Sequence, residues 1–306
     1  MSGDRVSASV FVDAPPAIAF EVFTEQIDAW WRHGLKFREG ARGLSVLHLE
    51  PKLGGRLFET VTTLHGETTH VVQTGTVVEW NPPHALQIEW RGGNFAPHET
   101  TTVSVAFEPR RDGTQVTLVH AGFAALPHDH PVRHGKPVPQ FIAQTGLWWS
   151  DQMTSLRMRI ADEVRAPWLR VARAELGVCN FPAGSSNPRI TEYHAGTPIA
   201  GYDDKANWCS SFVGWTLAHC GLRGTGSALA RSWLTWGEPL DEPVVGCIAV
   251  LWREDPQSWK GHVGFFLRHE DDQVVLLGGN QLDSVREHRY PRDSVLAYRW
   301  PSSSVA

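Results

Sequence analysis

The chain has 306 residues, 42% of them hydrophobic and 20% charged, with a net charge of −5 at pH 7. It is long enough for two domains and apolar enough to bury a core in each, which excludes a disordered chain. No basic excess is present to neutralise phosphates, so it does not read as a nucleic-acid binder, and no apolar run approaches the roughly 18–20 residues of a membrane span.

The N-terminus leads straight into an alternating segment, without the charged start and apolar core of a secretory signal. That reads as a protein that is cytoplasmic as synthesised. Val6–Val12 alternates as a strand, and Asp13-Ala14-Pro15-Pro16 supplies a helix start with Pro in the first turn. Ile18, Phe20, Val22, Phe23 and Ile27 then predict a helix over 17–31. Strand-like runs follow at Leu44–Leu49, Gly55–Val61, His70–Trp80, Leu86–Trp90, Thr101–Phe107 and Gln115–His120, separated by turn signals such as Asn81-Pro82-Pro83 and Arg111-Asp112-Gly113. Phe141, Ile142, Thr145, Trp148, Trp149, Leu156 and Ile160 mark a long amphipathic helix. The economical reading is a curved antiparallel sheet around one long C-terminal helix.

Several stretches carry a resemblance: Val10-Phe11-Val12-Asp13-Ala14-Pro15, Gly54-Gly55-Arg56-Leu57-Phe58-Glu59, Gly75-x-Val77-x-Glu79-Trp80-x-Pro82-Pro83 and Thr117-Leu118-Val119-His120-x-Gly122-Phe123. They resemble the SRPBCC (START-like) superfamily, in the branch homologous to the activator of a heat-shock-protein ATPase. The resemblance implies a helix-grip domain over residues 1–163 that takes a small apolar ligand. It assigns no catalytic residue, because such folds host unrelated functions.

Arg165-Ala166-Pro167 reads as a seam, followed by a helix over 168–177 that Gly177 stops. In Asn207-Trp208-Cys209-Ser210-Ser211-Phe212-Val213, the apolar positions Phe212, Val213, Thr216, Leu217 and Cys220 form the buried stripe of a helix that begins at Cys209. A thiol in a first helical turn feels the positive end of the macrodipole, which favours the nucleophilic thiolate. Three further strands are expected at Gly246–Trp252, His262–Leu267 and Gln273–Gly278. A three-residue loop at Glu270-Asp271-Asp272 would pair His269 with Gln273 and set His262 opposite Asn280, whereas a four-residue loop would remove that pairing. A base that deprotonates Cys209 and a polar group that orients the base are the needs of thiol catalysis.

The second half is similar to the CHAP and NlpC-like cysteine amidohydrolases/peptidases of the papain-like clan. The residues that carry this are Pro167-Trp168-Leu169, Asn187-Pro188-Arg189-Ile190, Trp208-Cys209-Ser210-Ser211-Phe212-Val213, Ala230-Arg231-Ser232-Trp233, Gly261-His262-Val263-Gly264-Phe265 and Gly278-Gly279-Asn280-Gln281. The resemblance implies an α+β protein of two domains, with a papain-like domain over 167–301 and a tail at 302–306. It places the nucleophile on Cys209, the base on His262 and the third polar residue on Asn280. It implies cleavage of peptide or amide bonds in peptidoglycan through an acyl-thioester, with no cofactor and no metal. The Cys209 N–H is the expected oxyanion donor. Trp208, Arg231 and Trp233 are expected to line the substrate groove. The competing reading is a ligand-binding, co-chaperone-like protein with an inactive C-terminal domain. His128-Asp129-His130 and Asp203-Asp204 lack a metal-ligand pattern and read as a solvated loop and a helix entry.

Overall fold

A computed structural model describes residues 4–34, 36–38, 44–62, 69–92 and 94–302. The chain divides into two compact units, Met1–Val164 and Arg165–Ala306. Both mix helices with antiparallel sheet, so the protein is α+β.

The first unit runs β1 (Arg5–Val12), α1 (Pro16–Glu25), α2 (Ile27–Trp30), β2 (Leu44–Leu49), β3 (Arg56–Thr62), β4 (Thr69–Asn81), β5 (Ala85–Trp90), β6 (Thr101–Arg110), β7 (Gly113–Ala121) and α3 (Val138–Arg165). Its seven strands form one antiparallel sheet in the order β1-β7-β6-β5-β4-β3-β2. The period-2 signal is clean in β6, where Thr101, Val103, Val105 and Phe107 are buried and the residues between them are not, and in β7, where Val116, Leu118 and His120 are buried. Along α3, Trp149, Met153, Leu156 and Ile160 recur at helical spacing and are buried against the concave face. This is the helix-grip arrangement.

The helix expected over 17–31 breaks at Gln26, which sits at φ −111° and ψ 29°. Gln26 Oε1 accepts from both Nε and Nη2 of Arg159 at 3.0 and 2.6 Å, and the Trp30 indole donates back to the Phe23 carbonyl at 3.0 Å. These tertiary bonds outweigh the local helical preference.

The second unit runs α4 (Trp168–Ala174), α5 (Pro188–Tyr193), α6 (Cys209–Ala218), β8 (Glu238–Leu240), β9 (Ile248–Trp252), β10 (Gly261–Glu270), β11 (Gln273–Gln281), β12 (Ser284–Pro291) and β13 (Val295–Trp300). The six strands form an antiparallel sheet in the order β12-β11-β10-β9-β13-β8. Helix α6 packs on β10 and β11. One sheet face, with Val250, Val263, Phe265 and Leu277, shares a core with Phe212, Val213 and Leu217 of α6. The other face buries Cys247, Ala249, Leu251, Phe266 and Leu276. Three of the strands, β8, β12 and β13, are absent from the sequence-based reading. In β12, polar residues fill the run Arg286-Glu287-His288-Arg289, three of them charged, as suits a sheet edge.

The β10–β11 hairpin also differs from expectation. Glu270 pairs with Gln273, leaving a two-residue turn at Asp271-Asp272 rather than three. An irregularity between Phe266 and Arg268 then restores the other register, so Phe265 pairs with Leu277. The Ser-rich tail expected at 302–306 lies outside the described residues from 303 onward.

Candidate functional site

Cys209 opens α6 and is only 5% exposed. Burial pushes its thiol pKa up, while the backbone N–H groups of Val263, Ser210 and Cys209 itself turn toward the sulfur and favour the thiolate. Val263 is the next residue after His262 on β10, so helix and sheet bring the predicted nucleophile and base to neighbouring positions. His262 is also buried, and burial pushes its pKa down to about 4. At neutral pH the pair is therefore a thiol and a neutral imidazole.

The group that orients His262 is Gln281, not Asn280. His262 Nε2 lies 3.1 Å from Gln281 Oε1. The Gln281 amide nitrogen donates to the Leu276 carbonyl at 3.1 Å and to the Arg286 carbonyl. A carbonyl oxygen only accepts, so these two bonds fix which end of the Gln281 amide is nitrogen. Its oxygen must then face His262, which requires the proton on Nε2 and leaves the Nδ1 lone pair bare. Tyr290 stacks on the imidazole at 5.0 Å and 29°, holding the ring plane from the other side.

Asn280 loses the orienting role because β11 does not stay regular to its end. Asn280 adopts φ 57°, followed by Leu282 at 50° and Asp283 at 59°. A left-handed residue breaks strand alternation, so Gln281 reaches His262 while the Asn280 amide donates to Asn207 Oδ1 at 3.3 Å. The preceding Gly279 permits the close approach: a Cβ there would fall 2.5 Å from the Trp208 ring and 2.6 Å from Phe212 Cβ. The paired glycines before Asn280 were the sequence signal for this distortion.

The three residues expected to line the groove are otherwise engaged. Trp208 and Trp233 are fully buried, with indole N–H groups on Asn180 Oδ1 at 3.0 Å and Ser210 Oγ at 2.8 Å. Their large rings serve the core. Arg231 donates to the carbonyls of Lys260, Pro256 and Asp255 and so braces the loop that leads into His262. Asp204 is fully buried: burial opposes its charge, but N–H bonds from Phe181 and Asn187 and the Lys205 ammonium hold its pKa below the usual carboxylate range. His130 bonds to Glu99 at 3.0 Å, and no metal-holding cluster occurs among the described residues.

The first unit contains a cavity of about 180 Å³ walled by Trp31, Phe37, Trp90 and Trp148, with Glu59 and Thr74 on its lining. Trp31 and Trp90 lie nearly parallel, at 12° and 5.9 Å. The lining also includes Lys36 and Arg38, which are ion-paired with Asp151 and Asp28, so the cavity is aromatic with polar groups rather than purely apolar.

Residues 13–142 match the family described as Activator of Hsp90 ATPase homolog 1-like protein, so the first unit carries a domain of that type. Among solved structures, the chain is similar to a Mesorhizobium loti protein (15% identity, 51% of this chain and 96% of the other, TM-score 0.36). It is also similar to an HSP90 activator from Plasmodium falciparum (18% identity, 47% and 88%, TM-score 0.32) and to a protein of unknown function from Staphylococcus aureus (12% identity, 53% and 98%, TM-score 0.38). No curated protein matches the chain. No helix among the described residues is long and apolar enough to cross a membrane.

A nitrogen-15 NMR titration of His262 should show Nε2 protonated, Nδ1 bare and a midpoint near 4 rather than 6.5. The unfolded chain then takes up a proton that the buried ring refuses, so folding stability should fall as pH drops from about 6.5 through about 4. Gln281→Ala should mix the two tautomers. A proton on Nδ1 in the wild type would contradict the assignment.

Proposed function

We propose that the chain joins a small-ligand-binding domain to a cysteine-dependent amide hydrolase. The first half of this reading rests on the family match at residues 13–142 and on the aromatic cavity. The aromatic wall of Trp31, Phe37, Trp90 and Trp148 suits a flat ring, and the polar lining offers it hydrogen bonds. The same match supports a co-chaperone-like role for this domain. Titration with indole should give saturable heat, lost in Trp90→Ala; equal heat in the variant, or none in the wild type, would contradict ring binding in the cavity.

The hydrolase reading is carried by one observation, the Nε2–H tautomer that Gln281 imposes on His262. Acyl transfer needs a bare imidazole nitrogen that can take the thiol proton, and the Cys209 sulfur lies against the backbone N–H of Val263, the residue after His262. As the Cys209 sulfur bonds to the amide carbonyl carbon, its proton passes to Nδ1. The C–N bond breaks, and the imidazolium returns that proton to the leaving amine. Water attacks the thioester and gives a proton to Nδ1. The C–S bond then breaks, releasing the acid, and the imidazolium reprotonates the sulfur. The Cys209 N–H, at the helix start, is the proposed donor to the developing oxyanion. The substrate we propose is a peptidoglycan peptide or amide bond.

Digestion of purified peptidoglycan followed by mass spectrometry should reveal new fragments with the wild type and none with Cys209→Ala. His262→Ala should slow the reaction by about 100-fold or more, the scale of general acid–base catalysis. Fragments that persist in Cys209→Ala would overturn the mechanism. No fragments, with Cys209 also inert to iodoacetamide in the folded protein, would favour the ligand-binding, co-chaperone-like reading with an inactive second unit.

A further inference from the structure

Two side chains beside the proposed catalytic set are unused by the mechanism. Asn207 precedes the nucleophile by two residues, and Asn280 lies next to the orienting Gln281. They meet through a single bond, Asn280 Nδ2 to Asn207 Oδ1 at 3.3 Å, on the exposed side of the unit. That bond uses one donor group and one acceptor. Asn207 Nδ2 and Asn280 Oδ1 have no protein partner among the described residues. Turning both amides over exchanges the atoms but again leaves one donor and one acceptor.

The pair is held from behind. Gly279 brings β11 against Trp208 and Phe212, and the left-handed backbone at Asn280 aims its side chain across to α6. A non-glycine residue at φ 57° beside a candidate site is the kind of backbone feature that functional sites retain. Asn is one of the few residues that tolerates it, and it adds an amide.

An adjacent donor and acceptor complement a peptide group, whose carbonyl accepts and whose N–H donates. We infer that Asn207 and Asn280 form a clasp that reads one peptide unit of the substrate next to the scissile bond, so that the site selects peptides over bare acyl compounds. This inference rests on the hydrolase reading. Asn280 is thereby a substrate contact instead of the group that orients the base.

The test compares muropeptide cleavage with hydrolysis of p-nitrophenyl acetate, which has no peptide unit. Asn207→Ala and Asn280→Gly should each lower kcat/KM on muropeptides by about three- to tenfold, the worth of one neutral hydrogen bond. Neither should change the ester rate or the rate of Cys209 alkylation by iodoacetamide. Glycine removes the amide, adds no charge and tolerates the left-handed backbone at position 280, so it guards against loss of the fold. Equal loss on both substrates, or no loss on either, would overturn the clasp while leaving the hydrolase in place. Ester hydrolysis without muropeptide cleavage in the wild type would also reject peptide reading. A wild type that neither turns over substrate nor alkylates at Cys209 would reject the hydrolase, and the clasp with it.

Discussion

The chemistry proposed for the second unit depends on one side-chain amide. Gln281 is tied by its nitrogen to two carbonyls, Leu276 within β11 and Arg286 on β12, so its oxygen has a single direction left in which to point. That direction is His262. The result is a histidine whose tautomer follows from backbone geometry rather than from solvent. In this buried network the Gln281 amide has all three of its bonds, and His262 Nδ1 is the one polar atom left open. The left-handed turn after Gly279 supports it, because without that turn Gln281 would follow the regular alternation of the strand.

Burial sets the resting state of the same pair. The Cys209 thiol is pushed up and the His262 imidazole down, so neutral forms coexist at pH 7. In the proposed reaction, proton transfer is then part of the attack and not a condition of rest. The three N–H groups turned toward the sulfur favour charge there once it forms. In the first unit, burial acts on His120 in the same sense, lowering its pKa to about 3, but there Thr101 and Trp149 occupy both ring nitrogens. That histidine is part of the core, and the contrast shows why a buried His is a candidate base only when one nitrogen stays open.

The sequence showed much of this, unevenly. Alternation predicts β6 and β7, and the stripe from Trp149 to Ile160 predicts α3, because each has one buried and one open face. The start of a helix at Cys209 and of a strand at His262 were legible for the same reason. The orienting residue was missed by one position. The irregularity near Phe266 returns the hairpin to the expected register, but register arithmetic also assumes a regular strand to its end, whereas β11 turns left-handed at Asn280. That turn leaves no more than a glycine pair in the sequence. Trp208 and Trp233, flanking Cys209 in the motifs, had the composition of a groove, yet both rings are core, since large aromatics bury area first. The edge strand β12 was hidden by its charges, although it contributes Tyr290 to His262 and the Arg286 carbonyl to Gln281.

The two units rest on separate physics, an aromatic cavity in the first and, in the second, a buried thiol at a helix start with a histidine on the strand beside it. The central claim is that His262, set by Gln281, makes Cys209 nucleophilic. The most direct measurement is intact-protein and peptide mass spectrometry after brief exposure to p-nitrophenyl acetate. The account predicts one acetyl group on Cys209, absent in His262→Ala and formed more slowly in Gln281→Ala. No acetyl on Cys209, or equal acetylation in the wild type and His262→Ala, would contradict it.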